Sequence, residues 1–467
     1  MDFFNTFINT INDLLWSNVL IVLLIVLGLY FSIRTGFVQF TFLKEMFLLL
    51  GDGLKKSDRN KSKGVSSFQA FCISTASRVG TGNIAGIAIA IVMGGPGSIF
   101  WMWLIALVGA ASGFIESTLA QIYKVKVGDT FVGGPAYYME KGLKKRWLGV
   151  VFAGLITIAF GLIFNAVQSN TISVAFSNAF GINRLTMGIV ITVATALVIF
   201  GGVKRIAKVS ELLVPFFAVG YILVALAVVL LNLDKVPGVF SLIFENAFGI
   251  REMAVGSLTG TIMYGVKRGL FSNEAGMGSA PNAAATADVS HPVKQGLIQA
   301  LGVFVDTIII CSCTAFIILI VGNYTTSSLT GIELTQEALT IQFGDFGKYF
   351  IAICIILFAF SSIVGNYYYG ESNITFIKSN KISMNIYRIL VLAMVMFGSL
   401  AKVDIVWTMA DVFMGLMAVI NLIAITILCP IAVDCLKDYK KQKKQGINSP
   451  VFKSSSIKNL DNTTEWE

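Results

Sequence analysis

Two apolar runs in this chain, each long enough to cross a bilayer, are interrupted by polar, glycine-rich segments. The first interruption is Ser77-Arg78-Val79-Gly80-Thr81-Gly82-Asn83 and the second is Gly269-Leu270-Phe271-Ser272-Asn273-Glu274-Ala275-Gly276. A bilayer offers no partners to loose backbone groups, so irregular chain at that depth persists only where it lines a protein-walled cavity. One such break in each half of a chain points to a binding site between helices. The alternative is that the glycines only mark close helix crossings.

The rest of the chain supports the membrane reading. It is 55% hydrophobic with a mean hydropathy of +0.78, and only 13% of its residues are charged, too few to solvate a surface this apolar. Eleven spans are expected, near 15–33, 68–93, 98–123, 147–174, 185–202, 209–231, 251–287, 295–321, 346–372, 384–400 and 403–433. The stretch 15–33 has no basic flank before it and no small-residue cleavage site, so it reads as a retained span. A polar, amphipathic stretch is expected at 332–344, and the Lys-rich tail after Leu436 is expected to end in disorder.

The net charge of +9 needs no nucleic acid as partner, because the basic residues sit in alternate loops. Loop 34–67 holds Arg34, Lys44, Lys55, Lys56, Arg59, Lys61 and Lys63, and loop 124–146 holds Lys124, Lys126, Lys141, Lys144, Lys145 and Arg146. Lys204, Arg205, Lys208, Lys378, Lys381 and the tail continue the series, whereas Arg184, Lys235 and Lys402 stand nearly alone between them. The basic loops and the C-terminus are therefore placed in the cytoplasm and the N-terminus outside.

With the first span set aside, the broken spans are the first and sixth of ten. An offset of five makes them cross in opposite directions, as in two inverted five-helix repeats. The expected organisation is an all-α multi-pass membrane protein: an N-terminal segment 1–67 with one extra helix, repeats 68–231 and 251–433, and a cytoplasmic tail 434–467. Ten residues from Phe68 to Ser77 give about 15 Å of helix, half of a ~30 Å hydrocarbon core, which places the first break near the midplane.

A half-helix that starts there aims free N–H groups at the cavity, a site for a carboxylate around Thr81, Gly82 and Asn83. One that ends there offers carbonyls, around Leu270, Phe271 and Ser272, to an ammonium or a metal cation. Together they describe a receptor for a zwitterion. Ser361-Ser362, adjacent hydroxyls in an apolar span, can complete a hard-oxygen site for sodium or can simply bond their own helix. Charges within spans require a role. Arg78, Arg268 and Glu274 fall at or beside the breaks and are read as structural or gating charges; Arg78 and Glu274 are expected to hold the breaks through ion pairing, not necessarily with each other, the alternative being that either reaches water in the cavity. Lys267, Glu116, Asp306, Glu371 and Asp411 are further candidates. Six cysteines without metal-type spacing read as packing residues. His291, in Ser-His-Pro, reads as a turn residue; one loop histidine and no HExxH-like pair argue against an enzyme.

Specific motifs resemble those of the alanine or glycine:cation symporter family, the sodium:alanine symporters, and more distantly the leucine-transporter fold. They are Val79-Gly-Thr-Gly-Asn-Ile-Ala-Gly, Gly94-Gly-Pro-Gly-Ser, Phe100-Trp-Met-Trp, Gly133-Gly-Pro-Ala-Tyr-Tyr-Met and Phe271-Ser-Asn-Glu-Ala-Gly-Met-Gly-Ser-Ala-Pro, within a match from about Phe68 to Pro430. The resemblance implies sodium-coupled uptake of small neutral amino acids (alanine, glycine, glutamine) across the cell membrane by alternating access, with sodium as coupling ion and no other cofactor. It implies that Thr81, Gly82, Asn83 and Gln168 take the carboxylate and that Phe271, Ser272 and Asn273 line the ammonium side. Sodium would lie among the carbonyls of Ala76, Val79 and Phe358 and the hydroxyls of Ser361 and Ser362. Arg78 stands beside where a second sodium of the wider fold would lie, which argues against a second sodium. Some family members carry tryptophan after Gly365, where this chain has Asn366, so a pocket with room for glutamine is expected if Asn366 faces the substrate; the alternative is that it faces a neighbouring helix. Proton coupling and, further off, a channel are the competing readings.

Overall fold

In a bilayer each backbone polar group must find a partner inside its own segment, and the helices that result dominate this protein. A computed structural model describes residues 2–53, 65–250, 257–458 and 460–466. Eight of its helices are long and apolar enough to cross a membrane, and a ninth span is a bent pair. In chain order the spans are α1 (Ile8–Thr35), the pair α2 (Ser67–Arg78) and α3 (Gly82–Gly94), α4 (Ser98–Ile122), α5 (Arg146–Phe180), the shorter α6 (Arg184–Ile199) and α7 (Arg205–Leu231). After them come α8 (Leu258–Asn273) and α9 (Ala280–Ala284), then α10 (Pro292–Val321), α11 (Asp345–Ile377), α12 (Lys381–Leu400) and α13 (Val403–Lys444). The protein is thus an all-α multi-pass membrane protein, with one small antiparallel hairpin, Val125–Val127 with Thr130–Val132, in a basic loop. The expected polar stretch before α11 is the helix Gly331–Phe343.

Local chemistry sets the helix ends. Ser66 and Gln69 form a capping box at the start of α2, Asn183 caps α6 and Asn380 caps α12. Gly36, at φ +68°, closes α1 in a left-handed turn. Outward faces are apolar: on α7, Leu212, Phe216, Val219, Leu223, Leu226 and Leu230 are exposed at helical spacing, a stripe that lipid would cover. Polar side chains lie inside instead, among them Glu116, Gln168, Arg78, Glu274 and Asp306. Among the described residues, the six cysteines are free thiols, five of them buried, which fits their reading as packing residues.

Three outlines differ from the sequence-based expectation. The second half of the 251–287 span is mostly not helical. α8 stays helical through Asn273, the chain turns left-handed at Glu274 (φ +58°), Gly276 and Gly278 follow at +83° and +84°, and only Ala280–Ala284 resumes a helix. Glycine makes this run of positive φ sterically possible, and Pro281 then favours a new helical start. The last helix runs on to Lys444, and residues 446–458 and 460–466 pack back against the ends of α4 and α10 instead of ending in disorder. The expected basic residues Lys55, Lys56, Arg59, Lys61 and Lys63, and the start of the second broken span at Arg251, lie outside the described residues.

Candidate functional site

The two interruptions meet. α2 and α3 bend by 49° across Val79–Thr81. A Cβ built on Gly82 would sit 2.7 Å from the Phe271 ring, so the second broken helix approaches the first where the side chain is absent. Gly80 is equally confined: a Cβ there would overlap Ser362 Oγ and lie 2.8 Å from Gln168 Oε1.

At the first break, side chains divert backbone N–H groups from the helix. Gly80 N–H donates to Asn83 Oδ1 (2.9 Å) and Thr81 N–H to Gln168 Oε1 (2.9 Å). In a continuous helix those donors would serve the carbonyls of Ala76 and Ser77, which are therefore released. Gln168 occupies, with a neutral oxygen, the position a carboxylate would take at Thr81.

At the second break, the carbonyls of Phe271 and Ser272 lose their helical donors in the same way. Ala275 N–H turns to Asn273 Oδ1 (2.9 Å) and Gly276 N–H to Glu116 Oε1 (3.1 Å). Leu270 keeps its partner, Glu274 N–H at 2.9 Å, so of the three expected free carbonyls two are free.

Between the breaks lies a buried polar cluster. Asn83 Nδ2 donates to Asp306 Oδ1 (2.5 Å) and reaches Ser272 Oγ (3.2 Å), while Ser272 Oγ donates to Asp306 Oδ2 (2.7 Å). Thr314 Oγ1 donates to the Asn83 carbonyl (2.6 Å) and is itself bonded to Tyr221 OH (2.6 Å). Cys311 Sγ lies 2.9 Å from Ser272 Oγ. Asp306 and Cys311 belong to one widened, π-type stretch of α10, Phe304–Cys311, a distortion frequent at functional sites. Phe271 forms the apolar wall with Phe164 (centroids 4.7 Å apart) and Trp407 (4.9 Å).

The serine pair meets the first break. Ser361 Oγ bonds the Phe358 carbonyl (2.8 Å), and Ser362 Oγ reaches both Phe358 O (3.1 Å) and Val79 O (3.3 Å). Two carbonyls and two hydroxyls thus converge, with the released Ala76 carbonyl one turn before Val79. Neutral hard oxygens of this kind suit sodium; among the described residues no cluster of His, Cys, Asp and Glu suits a transition metal.

The charged residues part company. Arg268 bonds Asp411 Oδ2 at 2.6 Å, with Lys267 3.3 Å from the same oxygen, and its guanidinium lies 4.6 Å from the centre of the Trp407 ring. Asp411 is on α13, so this triad ties the second broken helix to that span. Glu274 bonds the hydroxyls of Ser77 (2.8 Å) and Ser279 (2.5 Å) and makes no ion pair among the described residues. Arg78 gives one N–H to the Gln299 carbonyl (3.3 Å), in space kept by Gly302, and its Nε and Nη2 have no partner among the described residues. The expected ion pairing of Arg78 and Glu274 is therefore not seen among the described residues: Glu274 is met by serine hydroxyls and Arg78 by a backbone carbonyl.

Of the other expected site residues, Asn273 turns its side chain into its own loop, and the Asn366 side-chain amide lies 2.7 Å from Ser77 Oγ, facing the first half-helix. The Asn366 amide nitrogen has no partner among the described residues. His291 is the expected turn residue: its Nδ1 accepts from Val293 N–H (3.3 Å) at the start of α10. Sequence reasoning flagged Asp306 and Glu116 only as charges in spans. It had no signal for Trp407, Phe164, Cys311, Thr314 or Tyr221 as neighbours of the breaks, because these are ordinary residues on other helices.

Two interrupted membrane helices that surround buried, neutral and acidic oxygens make this chain a multi-pass membrane transporter rather than an enzyme. It belongs to the sodium:alanine symporter family, whose profile matches residues 1–454. Similar chains include the probable sodium/glutamine symporter GlnT of Bacillus subtilis strain 168, 57% identical over 97% of this chain and 94% of that one. The amino-acid carrier protein AlsT of the same organism is 57% identical over 100% and 98% of the two chains. The sodium/alanine symporter AgcS of Methanococcus maripaludis is 38% identical over 95% and 99%.

Proposed function

We propose that this protein couples sodium entry to the uptake of small neutral amino acids, alanine, glycine and glutamine, across the plasma membrane by alternating access. The observation that carries the proposal is the meeting of the two breaks around Asn83, Ser272 and Asp306. A substrate carboxylate would displace Gln168 Oε1 from Thr81 N–H, accept a hydrogen bond from the Gln168 amide N–H instead, and lie against the start of α3. The ammonium group would bond Asp306 and the released carbonyls of Phe271 and Ser272, and a short side chain would face Phe271, Phe164 and Trp407. Asn273 and Asn366 lie just outside this contact set. The unpartnered Asn366 amide is where a longer, polar side chain such as that of glutamine would find a donor, a reading that the similarity to GlnT favours.

Sodium would lie among the carbonyls of Ala76, Val79 and Phe358 and the hydroxyls of Ser361 and Ser362. Each hydroxyl would turn its proton away and present a lone pair. Because Val79 and Thr81 share one break, an ion at the first orders the N–H group that receives the carboxylate at the second. A gradient then acts through the different affinities of the two states for ion and substrate. The architecture proposed is one extra helix followed by inverted five-helix repeats over 68–231 and 251–433, eleven spans in all. The N-terminus is outside, and the basic loops and the tail 434–467 are in the cytoplasm.

The experiment is uptake of labelled alanine, glycine and glutamine into liposomes holding the purified chain, with sodium and pH gradients imposed separately. A sodium gradient alone should drive saturable uptake that also supports counterflow. Uptake driven by the pH gradient and indifferent to sodium would replace sodium with the proton; flux without counterflow would mean a channel.

A further inference from the structure

The chain does not stop at the end of α13. Gly446, at φ +80°, reverses its direction, and Val451 pairs with the Gln442 side chain in both directions, N–H to Oε1 at 2.9 Å and Nε2 to O at 2.8 Å. The returning segment then crosses the cytoplasmic end of the molecule. Phe452 N–H donates to the Ser290 carbonyl (2.9 Å), and Ser290 Oγ donates to the Pro450 carbonyl (2.8 Å). Phe452 is buried edge-on against His291 (5.3 Å) and Trp466 (5.4 Å). Burial holds His291 below its usual range, at about 4, so the ring meets Phe452 as a neutral imidazole and its contact with Asp438 (3.2 Å) is a hydrogen bond between unlike partners.

Trp466 fixes the far end. Its indole N–H donates to the Gln121 carbonyl (2.8 Å), and Lys124 Nζ stands 4.7 Å from its ring centre. Thr464 Oγ1 bonds the Lys124 carbonyl (3.3 Å), Asn462 Nδ2 the Lys141 carbonyl (3.1 Å), and Asp461 pairs with Lys144 (3.3 Å). Those residues grip the second broken helix where it leaves the membrane. Gln121 Nε2 donates to the carbonyls of Ala284 (2.5 Å) and Ala287 (3.0 Å), and Lys124 Nζ donates to Ala287 as well (3.0 Å). Ala287 forms a parallel bridge with Val65, and Asp288 N–H donates to the Val65 carbonyl (3.0 Å), one residue before the cap of α2.

A continuous line of contacts therefore runs from the strap 446–466 through Gln121 and Lys124 to α9 and on to the start of α2. The strap also seizes Ser290 and His291, on the segment that leaves α9. These are the cytoplasmic ends of both broken helices, and a route from the site to the cytoplasm opens only if they part from α4 and from each other. We propose that the strap is a latch on this gate: docked, it favours the state closed to the cytoplasm, and undocked, it lets α2 and α9 swing and release the bound amino acid. The physical basis is differential contact. The Phe452 and Trp466 sites use surfaces on both sides of the junction, so they persist in one arrangement of those surfaces and are lost in the other.

The latch rests on the transport reading, and its test separates the two. Ile73 is buried on α2, so a cysteine there reports movement of the half-helix. In a chain whose native cysteines other than the buried Cys311 are replaced by alanine, Ile73→Cys would be labelled with a maleimide from the cytoplasmic side of inverted vesicles. Trp466→Ala, Phe452→Ala and a chain ended after Gly446 should each label about tenfold faster than the parent, with faster counterflow of alanine. Ser455→Ala, at an exposed strap position, should label as the parent does. Labelling and counterflow at the parent's rates in the strap variants would overturn the latch. If Trp466→Ala fails to reach the membrane, Phe452→Ala carries the same decision. Labelling reads the gate whether or not sodium drives uptake, so a parent that moves no amino acid counts against the proposed function alone.

Discussion

The first break, Val79–Thr81, is short and neutral, while the second, Glu274–Ser279, is twice as long and is held by buried carboxylates. At the first, the loose N–H groups are met by amide oxygens of Gln168 and Asn83, groups a ligand can displace. At the second, Glu116 accepts from Gly276 N–H (3.1 Å), Gly278 N–H (3.1 Å) and Asn421 Nδ2 (2.8 Å), and Glu274 bonds two serines. Tyr138 in turn donates to Asn421, which locks that amide to the cluster. Three N–H donors on one carboxylate make a strong and permanent anchor. The difference teaches that a broken membrane helix serves two ends: an opening left for ligands and a joint kept in shape so that the opening is positioned.

The comparison breaks most sharply at Glu116. Glu116→Ala leaves the two buried N–H groups of Gly276 and Gly278 without an acceptor, at about 1–3 kcal/mol each, and takes from the Asn421 amide one of its two acceptors. The expected result is loss of folded protein, read as a fall in monodisperse yield and in melting temperature in detergent. If the variant were as stable as the parent, the second break would not be the joint described here. Gly80→Ala should spare folding more but abolish sodium-driven uptake, since its methyl overlaps Ser362 Oγ and crowds Gln168. Bound label in a scintillation assay, with and without sodium, distinguishes this from simple misfolding.

Smaller effects sharpen the contrast. Gln168→Ala should leave the yield intact and raise KM for alanine by about tenfold, the worth of roughly one hydrogen bond to a charged group. Ser362→Ala should instead raise the sodium concentration for half-maximal uptake, by about the same factor, with KM at saturating sodium little changed. Smallest is Asn366→Trp, expected to shift the glutamine-to-alanine uptake ratio a few-fold toward alanine, as a missing fit in a pocket does. An unchanged ratio would leave Asn366 as a partner of Ser77 only.

Much of this was legible before the fold. The breaks, the serine pair and the family motifs are local patterns, and local patterns suffice where a bilayer forces each segment to satisfy its own backbone. The sequence reading began the second break at Gly269, about five residues before the chain leaves the helix at Glu274. In the fold Gly269 is helical and small for another reason: a Cβ there would lie 2.7 Å from Ile105 on α4. The expected role of Arg78 and Glu274 as ion-pairing residues failed for a similar reason. A charge in a span announces that a partner exists, not which one it is.

The sequence by itself determined the membrane class and the approximate positions of the breaks, since these follow from apolar length and glycine spacing. Only the tertiary structure decided that Asp306 and Cys311 join Asn83 and Ser272, that Glu116 anchors the second break, that Trp407 closes the apolar wall, and that a tail expected to end in disorder packs against Ser290 and Gln121. Those pairings join residues as far apart as Gln121 and Trp466. They depend on which helix faces come together, and packing of whole helices sets that, whereas periodicity within one helix does not.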